Sequence, residues 1–376
     1  MFKRNWTTTF LLMIFCSVFF FSAQAQDQKK ESYGFKINKE VKCTPVKSQD
    51  RTGTCWSFAT ASFLESELMR MGKGQHDLSE MFVVQNIYKD KARNYILRQG
   101  KANFSQGSLS HDLIRVASVH GVMPESVFSG KLEGELKHDH SEMEAAMKGM
   151  LDGLLKQKRL SKKWQPALSC VLDTYIGQAP ENFSYQGKNY TPKSLADELA
   201  INPDDYINLT SFTHHPFYKQ FILEIPDNYS NGAYYNIPLN ELQAIVDNAL
   251  DQGYSLAWDG DVSEKGFNAK QGIAVVPTDA KRDDLFQKPG KEMKVTTELR
   301  QDNFESYATT DDHLMHLVGT STDKAGNKYY LIKNSWGEIS EYKGFLHMSE
   351  AYFQLKTVSI MVHKNAIPAN IAQKIL

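Results

Sequence analysis

Cysteine is scarce in this sequence, four residues in 376, which excludes a small scaffold held by disulfides; the fold has to rest on a hydrophobic core. Neither sign of charge is in excess, with 43 Lys and Arg against 44 Asp and Glu. The broad basic face that nucleic acid or an anionic membrane surface would need is therefore missing, and neither partner is expected. Beyond residue 25 no apolar run approaches the roughly 20 residues that span a bilayer, so no membrane anchor is expected. His138 and His140 flank an aspartate but have no third partner at metal-site spacing. No metal and no cofactor are expected.

The first 25 residues have the pattern of a secretory signal: Lys3 and Arg4, an apolar run from Phe10 to Phe21, and the small-residue end Ala23-Gln24-Ala25. Cleavage is expected before Gln26, with export to the periplasm or beyond. Cys16 leaves with that segment, and Ile14 and Phe15 before it do not fit a lipidation site. Cys43, Cys55 and Cys170 remain. An odd count suits one functional thiol plus an optional pair. Cys43 and Cys170 are either that pair or, the preferred reading, two unrelated buried thiols.

At 41% hydrophobic and 23% charged, the composition is that of a globular protein with two or three layers or subdomains. The chain is organised around residues 44–59, where Cys55 follows a Gly/Thr turn and opens an apolar, Ala-rich run (Trp56, Phe58, Ala59, Ala61). That pattern predicts a helix beginning at the cysteine, whose free N–H groups and dipole should favour thiolate and lower its pKa. Gln49 offers a side-chain N–H donor six residues earlier, and the Cys55 N–H a second, for the oxygen of a tetrahedral intermediate. A base is available in Asp311-Asp312-His313-Leu314-Met315-His316, and an orienting amide in Lys333-Asn334-Ser335-Trp336-Gly337, both in β-rich contexts. His313 is preferred over His316 because residues 313 and 315 share a strand face that 316 does not.

At these three stretches the chain resembles the papain-like cysteine peptidases. Gln49, Cys55, His313 and Asn334 fall in that family's chain order of oxyanion glutamine, nucleophile, base and orienting asparagine. Gln-x5-Cys-Trp, His-x5-Gly and Asn-Ser-Trp-Gly recur in sequence. The resemblance implies an α+β, papain-like two-subdomain fold, a helical subdomain and an antiparallel β-barrel-like subdomain with the active-site cleft between them. It also implies amide hydrolysis through a thioester, with His313 and Cys55 as an ion pair and Trp336 shielding the His–Asn bond.

The rest of the chain fits that plan. Helices are expected from Cys55 to about Met71, after a cap at Asp77 or Ser79, and from Gly107 to the Gly121 stop. In the family a Gly-Gly pair before the third helix borders the main substrate pocket; here it reads Gly107-Ser108. Residues 131–205 are expected to be a mainly helical insertion, with Met143, Met147 and Leu151 on one face. The expected division is 1–25 signal, 26–130 helical subdomain with the nucleophile, 131–205 insertion, and 206–376 β-rich subdomain with His313 and Asn334. Residues 26–43 leave no room for the long pro-segment of papain and its lysosomal relatives.

Residues 190–262 and 342–368 resemble one branch of the family, bleomycin hydrolase and bacterial aminopeptidase C, with Trp258 and Asp261 expected on the cleft wall. That implies an aminopeptidase acting on peptides, with homo-oligomerisation an open expectation. In that branch a C-terminal arm enters the cleft and meets the substrate's free amine with its terminal carboxylate. The sequence here runs only to Leu376. Endopeptidase or dipeptidyl cleavage, an acid such as Asp261 as the amine anchor, and acyl transfer on the same scaffold therefore stay open alternatives.

Overall fold

The central helix is unusual in being buried on almost every side. In the computed structural model, which describes residues 32–376, β1 (Lys36–Glu40) leads through an extended stretch into α1 (Cys55–Arg70), α2 (Glu80–Leu97) and α3 (Ser110–Val119). Fourteen of the sixteen α1 residues are buried, because one side meets the other helices and the opposite side meets the sheet. A helix covered all round needs no polar face. The Ser79 Oγ accepts the Phe82 N–H at 3.0 Å and starts α2. The expected signal segment 1–25 and its Cys16 lie outside the described residues.

α4 (Ser141–Leu155), α5 (Trp164–Ile176), the hairpin β2 (Phe183–Tyr185) and β3 (Lys188–Tyr190), and α6 (Pro192–Glu198) follow. They do not form a core of their own. Met143, Met147 and Leu151 of α4 and Leu168, Leu172 and Ile176 of α5 are fully buried in the same cluster as Trp56, Leu64 and Tyr88. Truncating one such leucine to alanine in a packed core costs about 2–5 kcal/mol. Residues 131–205 therefore thicken the helical half of the molecule.

The second half comprises β4 (Tyr206–Thr210), β5 (Lys219–Ile222), β6 (Ala233–Asn236), α7 (Leu239–Asp251), β7 (Leu256–Gly260), β8 (Phe267–Asn268), β9 (Ile273–Ala274) and α8 (Thr297–Glu305). β10 (His313–Thr322), β11 (Lys328–Lys333), β12 (Phe345–Ser349), α9 (Glu350–Lys356), β13 (Thr357–His363) and α10 (Ala369–Ile375) complete it. The strands join in the order β5-β6-β4-β13-β7-β10-β11-β12-β9-β8, with β1 added to β10. Most pairs are antiparallel; β4 with β6 and β12 with β9 are parallel. A second core, with Trp258, Met315, Ile332, Phe353 and Val362, lies on the sheet face away from α1. β10 sits at the centre, so its sequence is apolar on both faces, as a strand covered twice must be.

Gly319 owes its place in the His-x5-Gly spacing to packing. β1 crosses so closely that a Cβ at 319 would stand 2.2 Å from the Lys39 carbonyl oxygen, and the β10–β11 register shifts between Leu317 and Gly319. α10 packs Ile371 and Ile375 into the second core, and Lys374 pairs with Glu241 at 2.7 Å. Leu376 is exposed there and does not line the cleft described next.

Candidate active site

Cys55 is the first residue of α1, following the turn residue Thr54, whose carbonyl accepts the Ser57 N–H at 2.9 Å. The turn is pinned from across the cleft: Gln106 Oε1 accepts the Gly53 N–H at 2.7 Å, and the Gln106 carbonyl accepts Trp56 Nε1–H at 3.0 Å. Cys55 thus opens onto a cleft of about 460 Å³ that is also lined by Gln49, Gly107, Ser108, His313 and Trp336.

His313 enters the cleft from the first position of β10. Its Nε2–H donates to Asn334 Oδ1 at 2.7 Å, and the same oxygen accepts the Ser335 N–H at 2.7 Å. The Trp336 ring lies over the imidazole with centroids 4.6 Å apart. His313 and Asn334 are both buried, so this bond works in a low dielectric that strengthens it. With Nε2 committed, Nδ1 is the nitrogen left for chemistry.

Gln49 is held with equal care. Its Oε1 accepts Ser335 Oγ–H at 2.7 Å, which fixes the amide orientation, and Nε2 donates to the Thr52 carbonyl at 2.7 Å. The second Nε2–H is left over on a side chain that lines the cleft. The backbone Gln49 N–H also donates to the Ser335 carbonyl at 2.9 Å, so the oxyanion candidate on the helical half and the asparagine loop on the β half are tied together.

The electrostatics differ from the sequence expectation for Cys55. Burial pushes its thiol up to about 12; the Leu314 N–H, bonded to the sulfur, opposes this, and Asp311, Asp227 and Asp259 add to it. A desolvated sulfur facing carboxylates outweighs one helix terminus. Burial likewise lowers His313 to about 4, against the pull of Asn334 and Asp312. Burial thus acts against both charged forms of the expected ion pair, while the Leu314 N–H at the sulfur and Asn334 at the imidazole act for them.

His316 faces the other way. It is fully buried, with Nδ1 on Ser62 Oγ at 2.8 Å, in a polar seam where Lys333 Nζ reaches Ser62 Oγ at 2.7 Å and Thr44 Oγ1 at 3.0 Å. Burial holds its pKa well below the ordinary value, with Lys333 adding. Glu65 belongs to the same seam, its carboxyl raised to about 7 by burial despite Lys47.

Of the three residues expected to bind substrate, Gly107 and Ser108 line the cleft, but Ser108 turns its Oγ to Asp112 Oδ2 at 2.6 Å. Asp261 does not line the cleft. It is buried, and its oxygens accept the Ser263 and Thr310 N–H groups at 2.8 and 3.0 Å. Trp258 is core, with Nε1–H on Thr357 Oγ1 at 2.8 Å. Cys43, Cys55 and Cys170 are free, and Cys170 is exposed where a buried thiol was expected. Among the described residues, His214, His215 and Glu224 converge as metal ligands would. Gln301 Nε2–H donates to His214 Nδ1 at 3.0 Å, however, so Nε2 of His214 keeps the proton it gives to Glu224.

Sequence reasoning missed the rest of the cleft. Glu144, Asp227, Asp311 and Asp312 line it, and among the described residues no lysine or arginine does. Asp311 and Asp312 adjoin the histidine and could have been read as part of its wall. Asp227 has no local motif, and Ser335, which locks Gln49, was visible only as a motif letter.

Comparison with known proteins agrees with this geometry. The Peptidase C1-like family model matches residues 113–375 and the papain family cysteine protease model residues 31–122. Aminopeptidase G of Lactobacillus delbrueckii subsp. lactis is 25% identical, covering 87% of this chain and 83% of that one. Aminopeptidase E of Lactobacillus helveticus is 24% identical over the same shares. Aminopeptidase C of Listeria monocytogenes is 23% identical, over 87% and 82%. The crystal structure of PepW from Lactobacillus rhamnosis superposes with a TM-score of 0.68 at 18% identity, over 90% of this chain and 84% of that one, a likeness of fold. With its fold, its Cys–His–Asn cleft and a family match across most of its length, the chain belongs to the Peptidase C1-like family and is a papain-like cysteine peptidase.

Proposed function

We propose that this cysteine peptidase is an aminopeptidase, acting on peptides with a free N-terminus, in which Cys55 is the nucleophile and His313 its base. The observation that carries the catalytic assignment is the His313–Asn334 hydrogen bond beneath Trp336, which frees Nδ1 on a cleft shared with Cys55. Nδ1 takes the thiol proton as sulfur adds to the scissile carbonyl carbon, and the carbonyl π pair moves to oxygen. The spare Gln49 Nε2–H and the Cys55 N–H donate to that oxyanion. The C–N bond then breaks as the imidazolium gives its proton to the departing amine, leaving a thioester. His313 next takes a proton from water while the water oxygen adds to the thioester carbon. Collapse expels the thiolate, which recovers the proton. Asn334 keeps the imidazole turned toward the sulfur throughout.

Two observations support the aminopeptidase reading. The relatives named as aminopeptidases align over more than four-fifths of both chains, and the carboxylate lining of the cleft suits a cationic substrate end. The test compares kcat/KM on one peptide amide with a free α-amine and on its N-acetyl form. A preference of about 10- to 10²-fold for the free amine is expected, the worth of one charge-assisted hydrogen bond. Equal cleavage of the two would overturn the reading. Residues 1–25 support export as well, and the mature protein isolated from outside the inner membrane should begin at Gln26 by N-terminal sequencing.

A further inference from the structure

The loop at Gly107 has two features that the proteolytic chemistry does not require. Its carbonyl oxygen already accepts a hydrogen bond from Nζ of Lys91, a fully buried lysine behind the loop. Its Cα face is covered by the Asp227 side chain, so that a Cβ at position 107 would lie 1.8 Å from Asp227 Oδ2. A peptide running in extended form along this edge would need that carbonyl for pairing and that face for approach. Both are occupied.

Asp227 is held there on one side only. Its Oδ1 accepts Asn103 Nδ2–H at 2.9 Å and Ser105 Oγ–H at 3.5 Å, while Oδ2 accepts no hydrogen bond among the described residues. Asn103, Ser105 and Gly107 belong to one loop, and Ser105, Gly107 and Asp227 all line the cleft that contains Cys55. Burial raises the Asp227 carboxyl above its ordinary value, and Lys91 behind the loop is the largest pull against that rise. The site thus offers a carboxyl group with one oxygen free, a lining with no lysine or arginine among the described residues, and a blocked continuation.

We propose that Asp227 is a specificity-determining residue, whose Oδ2 receives the substrate's free α-ammonium group at Gly107 and whose bulk stops any chain that continues past that point. This rests on the aminopeptidase reading and names the residue that enforces it.

Asp227→Asn keeps the shape and removes the charge. The kcat/KM for the free-amine peptide should fall about 10- to 10²-fold while that for the N-acetyl peptide stays within about twofold, so the preference collapses. Labelling of Cys55 by a peptidyl epoxide at wild-type stoichiometry establishes that the variant's cleft is folded. Should the variant not fold, the wild type decides: KM for the free-amine peptide should rise as pH passes the peptide's α-amino pKa of about 8, with KM for the acetylated peptide flat. A preference that survives Asp227→Asn, or a KM that ignores the amine's titration, overturns the proposal. Equal cleavage of both peptides by the wild type would instead remove the aminopeptidase reading on which it rests.

Discussion

The two walls of the cleft are built on different principles. One is strand and helix: Cys55 starts α1, His313 starts β10, and Asn334 follows β11 directly, with the His313 Nε2–H and the Ser335 N–H both bonded to Asn334 Oδ1 at 2.7 Å. The other is loop against loop, where residues 103–108 meet Asp227 from a connection far along the chain and a buried lysine holds them from behind. Rigid elements suit the wall where sub-ångström placement sets the rate. Loops suit the wall that chooses the substrate, because they can change without disturbing the sheet.

If that division is right, substitutions on the first wall should depress kcat for every peptide alike, and the largest effect should come from the histidine. His313→Ala is expected to lower kcat by at least about 10³-fold on free and blocked peptides. Three residues away on the opposite strand face, His316→Ala should cost stability, about 1–3 kcal/mol for a buried group left without its partner, yet keep kcat within about tenfold of the wild type. Steady-state kinetics beside denaturant unfolding separates the two; a larger kcat loss at 316 than at 313 would erase the contrast. Gln49→Ala comes next, with a loss of about 10²–10³-fold in kcat and little change in KM, as for an oxyanion donor.

The smallest expected effect concerns the seam that joins the halves behind the cleft. Glu65 has its carboxyl raised by burial from an ordinary 4.5 to about 7, so the folded state binds its proton more tightly than the unfolded state does. Its contribution to stability is then present below about pH 4.5 and is lost as pH rises through 7. Buried histidines such as His347, lowered to about 4 by burial, act in the opposite sense, so the useful quantity is a difference. The Tm of the wild type minus that of Glu65→Gln should fall by a few degrees between pH 5 and 8, about the size of a 1 kcal/mol effect. A difference independent of pH would mean that Glu65 is ionised throughout.

The same division explains what could be read in the sequence. The catalytic wall was legible because each member sits inside a short stretch with its own local logic: a cysteine opening an apolar helix, a histidine opening an apolar strand, and an asparagine after another. Gln49, Cys55 and His313 line one cleft, and Asn334 is bonded to His313. Helix starts with local chemistry, such as the Ser79 cap, were equally accessible. What failed depends on contacts between distant segments. Asp261 and Trp258, expected on the cleft wall, do not line it: Asp261 is buried against backbone N–H groups and Trp258 lies in the second core. Asp227 could not be found because nothing near it in the chain indicates Gly107. For the thiol, a helix terminus is visible in sequence, whereas the burial and the carboxylates that act against it are not. Residues 131–205, expected to be mainly helical, carry α4, α5 and α6 beside the β2–β3 hairpin, and their burial in the main core follows from packing that no local pattern carries.

The most direct measurement is mass-spectrometric mapping of a thiol-directed peptidyl epoxide on the wild-type protein and on Cys55→Ala. One equivalent per chain, located on Cys55, with exposed Cys170 and half-buried Cys43 unmodified and no adduct on the alanine variant, is the predicted result. Stoichiometric modification that persists without Cys55, or that maps to either other cysteine, would contradict the account.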